Sequence, residues 1–175
     1  MKFSKGLAAL VAVVLLLGVA ACSKKNEQSS TQPAGAINWV GYTEGMKKAK
    51  ETNKPVMVDF YTSWCKYCKM LDDTTYKDPA IVEILNRDFV IIKVNAEGEN
   101  KVMEGGKEMT ERELAAQFKV TGFPTIWFFD ANGKQIAPLP GYSPPEDFKP
   151  VLTFITSGSY AKGIQFADYL KTLKK

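Results

Sequence analysis

The chain contains no histidine and only three cysteines among its 175 residues. Without histidine there is no Cys-His or Ser-His base pair and no imidazole ligand for a metal. A c-type haem would need His directly after a Cys-x-x-Cys pair, and Lys69 follows Cys68 instead. A structural zinc site asks for four Cys or His ligands, more than Cys65 and Cys68 supply, so no metal site is expected. What remains for a cysteine pair is mainly redox work. Basic residues are also in short supply: Lys2 and Lys5 precede Cys22, and the rest of the chain carries an excess of two positive charges over its 19 acidic residues. That is too small a bias for a nucleic-acid partner, which shows as a concentrated basic patch. The cluster Lys47, Lys48 and Lys50 reads as a solvated helix face.

Long apolar runs are scarce too, and the one present lies at the start. Lys2 and Lys5 precede an apolar stretch from Gly6 to Ala21, the pattern of a secretory signal over residues 1–21. The stretch is short for a transmembrane helix. Val19-Ala20-Ala21-Cys22 resembles the lipobox of bacterial lipoproteins, which implies that Cys22 is acylated and becomes the first residue of the mature chain. Ordinary cleavage after Ala21 and a retained anchor are the alternatives. Ser23 after Cys22 lacks the Asp of an inner-membrane retention signal, which leaves the choice of membrane open. From Ser23 to Ala36 the chain is polar and aperiodic, so residues 22–36 are expected to be a lipidated cysteine with a flexible tether spanning about 20 Å.

Residues 37–175 have the length of one compact domain. The pattern predicts a helix over Tyr42–Thr52, a buried strand from Pro55 to Tyr61, and a helix starting at Cys65 and running to about Asp72. Asp78 before Pro79 caps a helix through Leu85. A strand from Phe89 to Asn95 follows, then a Gly- and Glu-rich surface loop from Ala96 to Met109. Thr110 with Glu113 forms a capping box for a helix through Phe118. Ile126–Phe129 is a strand, and Asp130-Ala131-Asn132-Gly133 turns into a short strand near Gln135. Ser143-Pro144-Pro145-Glu146 caps a helix to about Ile155. A last amphipathic helix, Ile164 to Leu173, gathers Ile164, Phe166, Tyr169, Leu170 and Leu173 largely on one side and is expected to pack on the domain. The order of elements indicates an α/β fold: a mixed central sheet of about four strands, helices on both faces, and an extra C-terminal helix.

Two cysteines separated by two residues in the first turn of a helix can close a small disulfide, and the first lies where unpaired backbone N–H groups converge. Those donors favour a thiolate: a Cys pKa in this setting can fall from about 8.5 toward 7 or below. Cys65 is therefore the expected nucleophile. Cys68, one turn in and less exposed, would attack the mixed disulfide and release the reduced partner.

The stretch Val58-Asp59-Phe60-Tyr61-Thr62-Ser63-Trp64-Cys65-Lys66-Tyr67-Cys68-Lys69 resembles the active-site segment of thioredoxins. The resemblance covers most of the domain and implies a thioredoxin-like fold. Under it, Phe123-Pro124-Thr125 matches the cis-proline loop that holds an incoming peptide, and Gly141 matches a glycine of the substrate groove. Asp59 matches the buried Asp that moves the proton of the second Cys, and Lys93 the Lys that pairs with it. Taken singly, Asp59 ending a strand, Lys93 in solvent and Pro124 at a strand entry are ordinary features; their common relation to one Cys-x-x-Cys is what argues for function. Trp64 reads as packing, with shielding of the sulfur and partner docking as its alternative.

The residues between the cysteines, Lys66-Tyr67, depart both from the Gly-Pro of cytosolic thioredoxin and from the Pro-His of strong oxidants. Lys54-Pro55-Val56-Met57-Val58-Asp59, Asp78-Pro79 and Gly122–Asp130 further resemble the thioredoxin-like output domain of the membrane electron conductor DsbD and periplasmic SoxW-type thioredoxins. The resemblance implies an extracytoplasmic, lipid-anchored thiol-disulfide oxidoreductase, a reductase rather than an oxidase or isomerase. It would act as a monomer with no cofactor beyond the Cys65–Cys68 disulfide. Its partners would be exported proteins with disulfides or oxidised thiols, and a membrane thiol reductant of DsbD type. A Cu(I) carrier and a non-catalytic binding module are the readings from other classes.

Overall fold

The computed structural model describes residues 35–173. Seven strands and six helices follow in order: β1 (Trp39–Val40), α1 (Tyr42–Thr52), β2 (Val56–Tyr61), α2 (Lys66–Asp73), α3 (Pro79–Asp88), β3 (Val90–Asn95), β4 (Lys101–Glu104), β5 (Lys107–Thr110), α4 (Glu111–Gln117), β6 (Thr125–Phe129), β7 (Gln135–Pro140), α5 (Pro145–Thr156) and α6 (Phe166–Thr172). The signal-like residues 1–21, Cys22 and most of the tether lie outside the described residues.

The central sheet has five strands in the order β1-β3-β2-β6-β7, one more than expected. β1 and β2 run parallel to β3, while β6 is antiparallel to β2 and β7 to β6. The extra strand is Trp39–Val40, two residues long and therefore without a readable period. Side chains of a strand point alternately to the two faces, and the sequence exploits this. Val56, Val58 and Phe60 of β2, with Val90, Ile92 and Val94 of β3, face α1 and α4. Met57 and Ile91 face the layer of α2, α3, α5 and α6. Full burial of each such side chain contributes about 1.5–3 kcal/mol, which makes the two apolar layers the main support of the fold.

The helix boundaries follow local chemistry. Asp78 Oδ1 accepts from the N–H groups of Ala80 and Ile81, both at 3.0 Å, with Pro79 in the first turn. Thr110 and Glu113 form a reciprocal capping box. Gly45 in α1 sits so close to β3 that a Cβ there would lie 2.5 Å from Ile92 Cδ1.

Several expectations are corrected. The segment Ala96–Met109 is not a loop: β4 and β5 form a separate hairpin joined by Gly105-Gly106. Both glycines have positive φ, 57° and 80°, the pairing a tight two-residue turn demands. Burial of Val102 and Met109 under Tyr42 and Leu114 anchors the hairpin and supplies what its polar sequence hides. Ser143 does not cap α5; its carbonyl accepts from Thr75 Oγ1, and Pro144 occupies the cap position. In α6, Phe166 and Tyr169 pack on Phe154 at ring distances of 5.4 and 5.3 Å, but Ile164 and Leu173 remain exposed because the helix is shorter than its periodic pattern.

Candidate active site

β2 ends at Tyr61, and a short turn through Thr62-Ser63-Trp64 delivers Cys65 to the start of α2. Cys65 is the N-cap rather than the first helical residue, with extended backbone, so its Sγ takes the place of a capping oxygen. It accepts the N–H of Cys68 at 3.0 Å. Cys65 and Cys68 are joined as a disulfide with Cα atoms 5.3 Å apart. The expected difference in exposure is absent: both residues are 4% exposed.

Trp64 is not a core residue. It is 64% exposed, its indole N–H donates to Glu97 Oε2 at 3.0 Å, and its ring meets Phe123 edge-on at 6.0 Å. This fixes a broad aromatic surface beside the disulfide and corrects the packing assignment. Tyr67 of α2 is also exposed.

The Phe123–Pro124 peptide bond is cis, and Pro124 is buried. Two bonds hold the loop: Gly141 N–H donates to the Pro124 carbonyl at 2.8 Å, and Thr125 Oγ1 donates to the Gly122 carbonyl at 2.7 Å. Gly141 has φ 82°, the left-handed region that glycine enters without penalty, so the residue belongs there for backbone reasons. Phe123, Pro124, Thr125 and Gly141 thus form one unit. A groove of about 800 Å³ runs from this unit past Phe118, Trp127 and Pro138 on the α4 side and does not include the cysteines.

Asp59 and Lys93 are register partners on neighbouring parallel strands, so their side chains leave the same face of the sheet, the one α2 covers. Asp59 is 1% exposed. Burial raises its pKa from the ordinary 3.8 to about 7, an effect that the Lys93 charge opposes and the Asp72 charge reinforces. Lys93 Nζ lies 4.0 Å from Asp59 Oδ2 but 2.5 Å from Asp72 Oδ1. Its ammonium also sits over the rings of Trp39 and Tyr61, at 5.0 and 5.1 Å. The expected Asp59–Lys93 pair is therefore a shared arrangement in which Asp72 holds the lysine more closely.

Sequence reasoning missed Asp72, Glu97 and the aromatic cage of Lys93. The signal for Asp72 was present, since it lies one helical turn beyond Cys68 on the same face as that cysteine. Glu97 and Trp39 gave none, because their roles depend on tertiary placement. Among the described residues no group of His, Cys, Asp and Glu is arranged to hold a metal ion, and no helix is long and apolar enough to cross a membrane.

A cysteine pair at a strand-to-helix junction, a cis-proline loop that meets the neighbouring Trp64 through Phe123, and a buried carboxylate on the strand leading to the pair together define the disulfide-exchanging class of α/β proteins. Comparison with known proteins makes this specific: residues 42–156 match the thioredoxin-like domain family, and the chain belongs to it. The disulfide bond reductase DsbH of Chlamydia pneumoniae is 31% identical over 138 residues, spanning 74% of this chain and 82% of that protein. The thiol:disulfide interchange protein DsbD of Campylobacter jejuni is 33% identical over 123 residues, 70% of this chain but 20% of the much longer relative. Among solved structures, a Thermus thermophilus thioredoxin superposes with a TM-score of 0.60 at 26% identity, covering 74% of this chain and 94% of its own. A thioredoxin-fold protein from Helicobacter pylori superposes with a TM-score of 0.58 at 26% identity, covering 76% and 94%. The protein is a thiol-disulfide oxidoreductase of thioredoxin-like type.

Proposed function

We propose that the protein runs in the reducing direction, on disulfides of exported proteins. The observation that carries the exchange chemistry, and names its nucleophile, is the sulfur of Cys65 at the cap of α2, already receiving a backbone N–H from Cys68; the direction is argued from the relatives and from Lys66-Tyr67. In the dithiol form that donor stabilises the Cys65 thiolate, which attacks one sulfur of the substrate disulfide and expels the other as a thiolate. Cys68 then gives its proton to Asp59, whose acidity near neutrality suits that transfer. The Cys68 thiolate attacks Cys65 Sγ, the substrate leaves with two thiols, and the Cys65–Cys68 disulfide re-forms. Two electrons have passed to the substrate, and no cofactor or metal takes part.

In this reading Lys93 moderates the charge on Asp59, while Trp64 and the loop Phe123-Pro124-Thr125 with Gly141 make the docking surface. The names of the relatives, a disulfide bond reductase and an interchange protein, favour the reducing direction. So does the absence from Lys66-Tyr67 of a histidine that would stabilise the reduced form. The signal and lipobox pattern ending at Cys22 supports a periplasmic, lipid-anchored protein, which in this reading works as a monomer and is re-reduced by a membrane thiol donor of DsbD type.

Equilibration with glutathione tests the direction. A potential near the thioredoxin value, about −270 mV, is expected, and one near about −120 mV would assign the protein to the oxidases.

A further inference from the structure

Two buried polar atoms near Asp59 have complementary needs. Asp59 Oδ1 and the Tyr76 hydroxyl are both fully inaccessible and neither completes a hydrogen bond, although the phenol lies near enough to the carboxyl to favour its charged form. One is an acceptor and the other a donor. A buried phenol left unpaired is destabilising, and phenylalanine would fill the same space without that cost. The ring is firmly held: Tyr76 meets Trp39 edge-on at 5.1 Å and Phe148 at 6.3 Å, and Lys93 Nζ lies 5.9 Å from its centre. The lysine cannot serve Oδ1 well, since it is drawn to Asp72 and approaches Asp59 only at Oδ2.

We propose that Tyr76 is a positioning residue of the exchange reaction, whose hydroxyl donates to the Asp59 carboxylate as that group ionises and so sets the pH at which Asp59 is ready to take the proton of Cys68. The inference rests on the role given to Asp59 above. The groups facing Asp59 are Lys93 from β3, Asp72 from α2, and Tyr76 from the turn between α2 and α3; β6 contributes the apolar Ile126. Burial and the two nearby carboxylates hold the phenol well above its ordinary acidity range, so it stays protonated and acts only as a donor. A bond from it favours the charged carboxylate. The covalent steps are unchanged: the Cys68 proton moves to Asp59, the Cys65–Cys68 bond forms, and the partner thiolate leaves.

Stopped-flow reaction of the reduced protein with equimolar 5,5′-dithiobis(2-nitrobenzoate) separates the steps. The first thionitrobenzoate is released when Cys65 attacks and the second when Cys68 resolves. With Tyr76→Phe, the half-maximal pH of the second release is expected to rise by about one unit, while the first release keeps its pH dependence. A 3-fluorotyrosine at position 76, a stronger donor, is expected to move the midpoint the other way, and it serves where Tyr76→Phe impairs folding. An unchanged midpoint in both variants, with Asp59→Asn abolishing the pH dependence of the second release, overturns the role of Tyr76 and leaves that of Asp59 intact. A second release indifferent to Asp59→Asn overturns the role of Asp59 itself, and this inference with it. Parallel shifts of both releases would mark Tyr76 as merely structural.

Discussion

The two faces of the central sheet are built from the same strands and differ sharply in what they bury. Toward α1 and α4, alternate residues of β2 and β3 are Val56, Val58, Phe60, Val90, Ile92 and Val94, an apolar layer with Phe118 at its centre. Toward α2 and α3, the intervening positions hold Met57 and Ile91 but also Asp59 and Lys93, side by side in register. A charged couple in a sheet interior is costly, because desolvation is repaid only by good pairing and here the lysine is shared with Asp72. The contrast teaches that one face holds the domain together, while the other gives up stability at the point where α2 presents its cysteines.

Four changes would sharpen or break that contrast. The largest effect is expected from Cys65→Ser, which should reduce insulin-disulfide cleavage to background while keeping a thermal stability near that of the reduced wild-type protein. Next comes Phe118→Ala on the apolar face. The ring touches Phe60, Trp127 and Phe129, and its loss should cost about 3–5 kcal/mol in urea unfolding, equally at all pH values.

Asp59→Asn should act in the opposite sense and with a pH signature. The folded protein holds the Asp59 proton up to about pH 7, whereas the ordinary value is 3.8. Between those limits the native state binds more protons than the unfolded chain, so wild-type stability falls as pH rises through that window. Asp59→Asn should be neutral near pH 4 and more stable than wild type by up to about 4 kcal/mol at pH 8. Equal stability of the two proteins at pH 8 would remove the distinction between the faces. The smallest effect is expected from Gly45→Ala: Ile92 must give way to the new methyl, for a loss of about 1–3 kcal/mol in urea unfolding with no change in disulfide reduction.

Much of this was legible in the sequence, unevenly so. The run Val56–Tyr61, the Asp78-Pro79 start and the Thr110–Glu113 box declare themselves because their chemistry is local. The positions of Cys65, Cys68 and Pro124 followed from spacing and resemblance. β1 was hidden because two residues carry no period, and β4–β5 because the polar composition of 96–109 masked the two side chains, Val102 and Met109, that anchor the hairpin. The same limit applies at the site. Asp59 was visible as a charge inside a strand, but that Lys93 leans toward Asp72, or that Trp64 stands in solvent pinned by Glu97, depends on the approach of elements distant in the chain.

The claim on which the rest depends is that the start of α2 holds the Cys65 sulfur in its reactive, ionised form. Iodoacetamide alkylation of the reduced Cys68→Ala protein across pH measures this directly, since Cys65 is then the thiol at the site. The account predicts half-maximal reactivity at about pH 7 or below. A midpoint near about 8.5, that of a free cysteine, would contradict it.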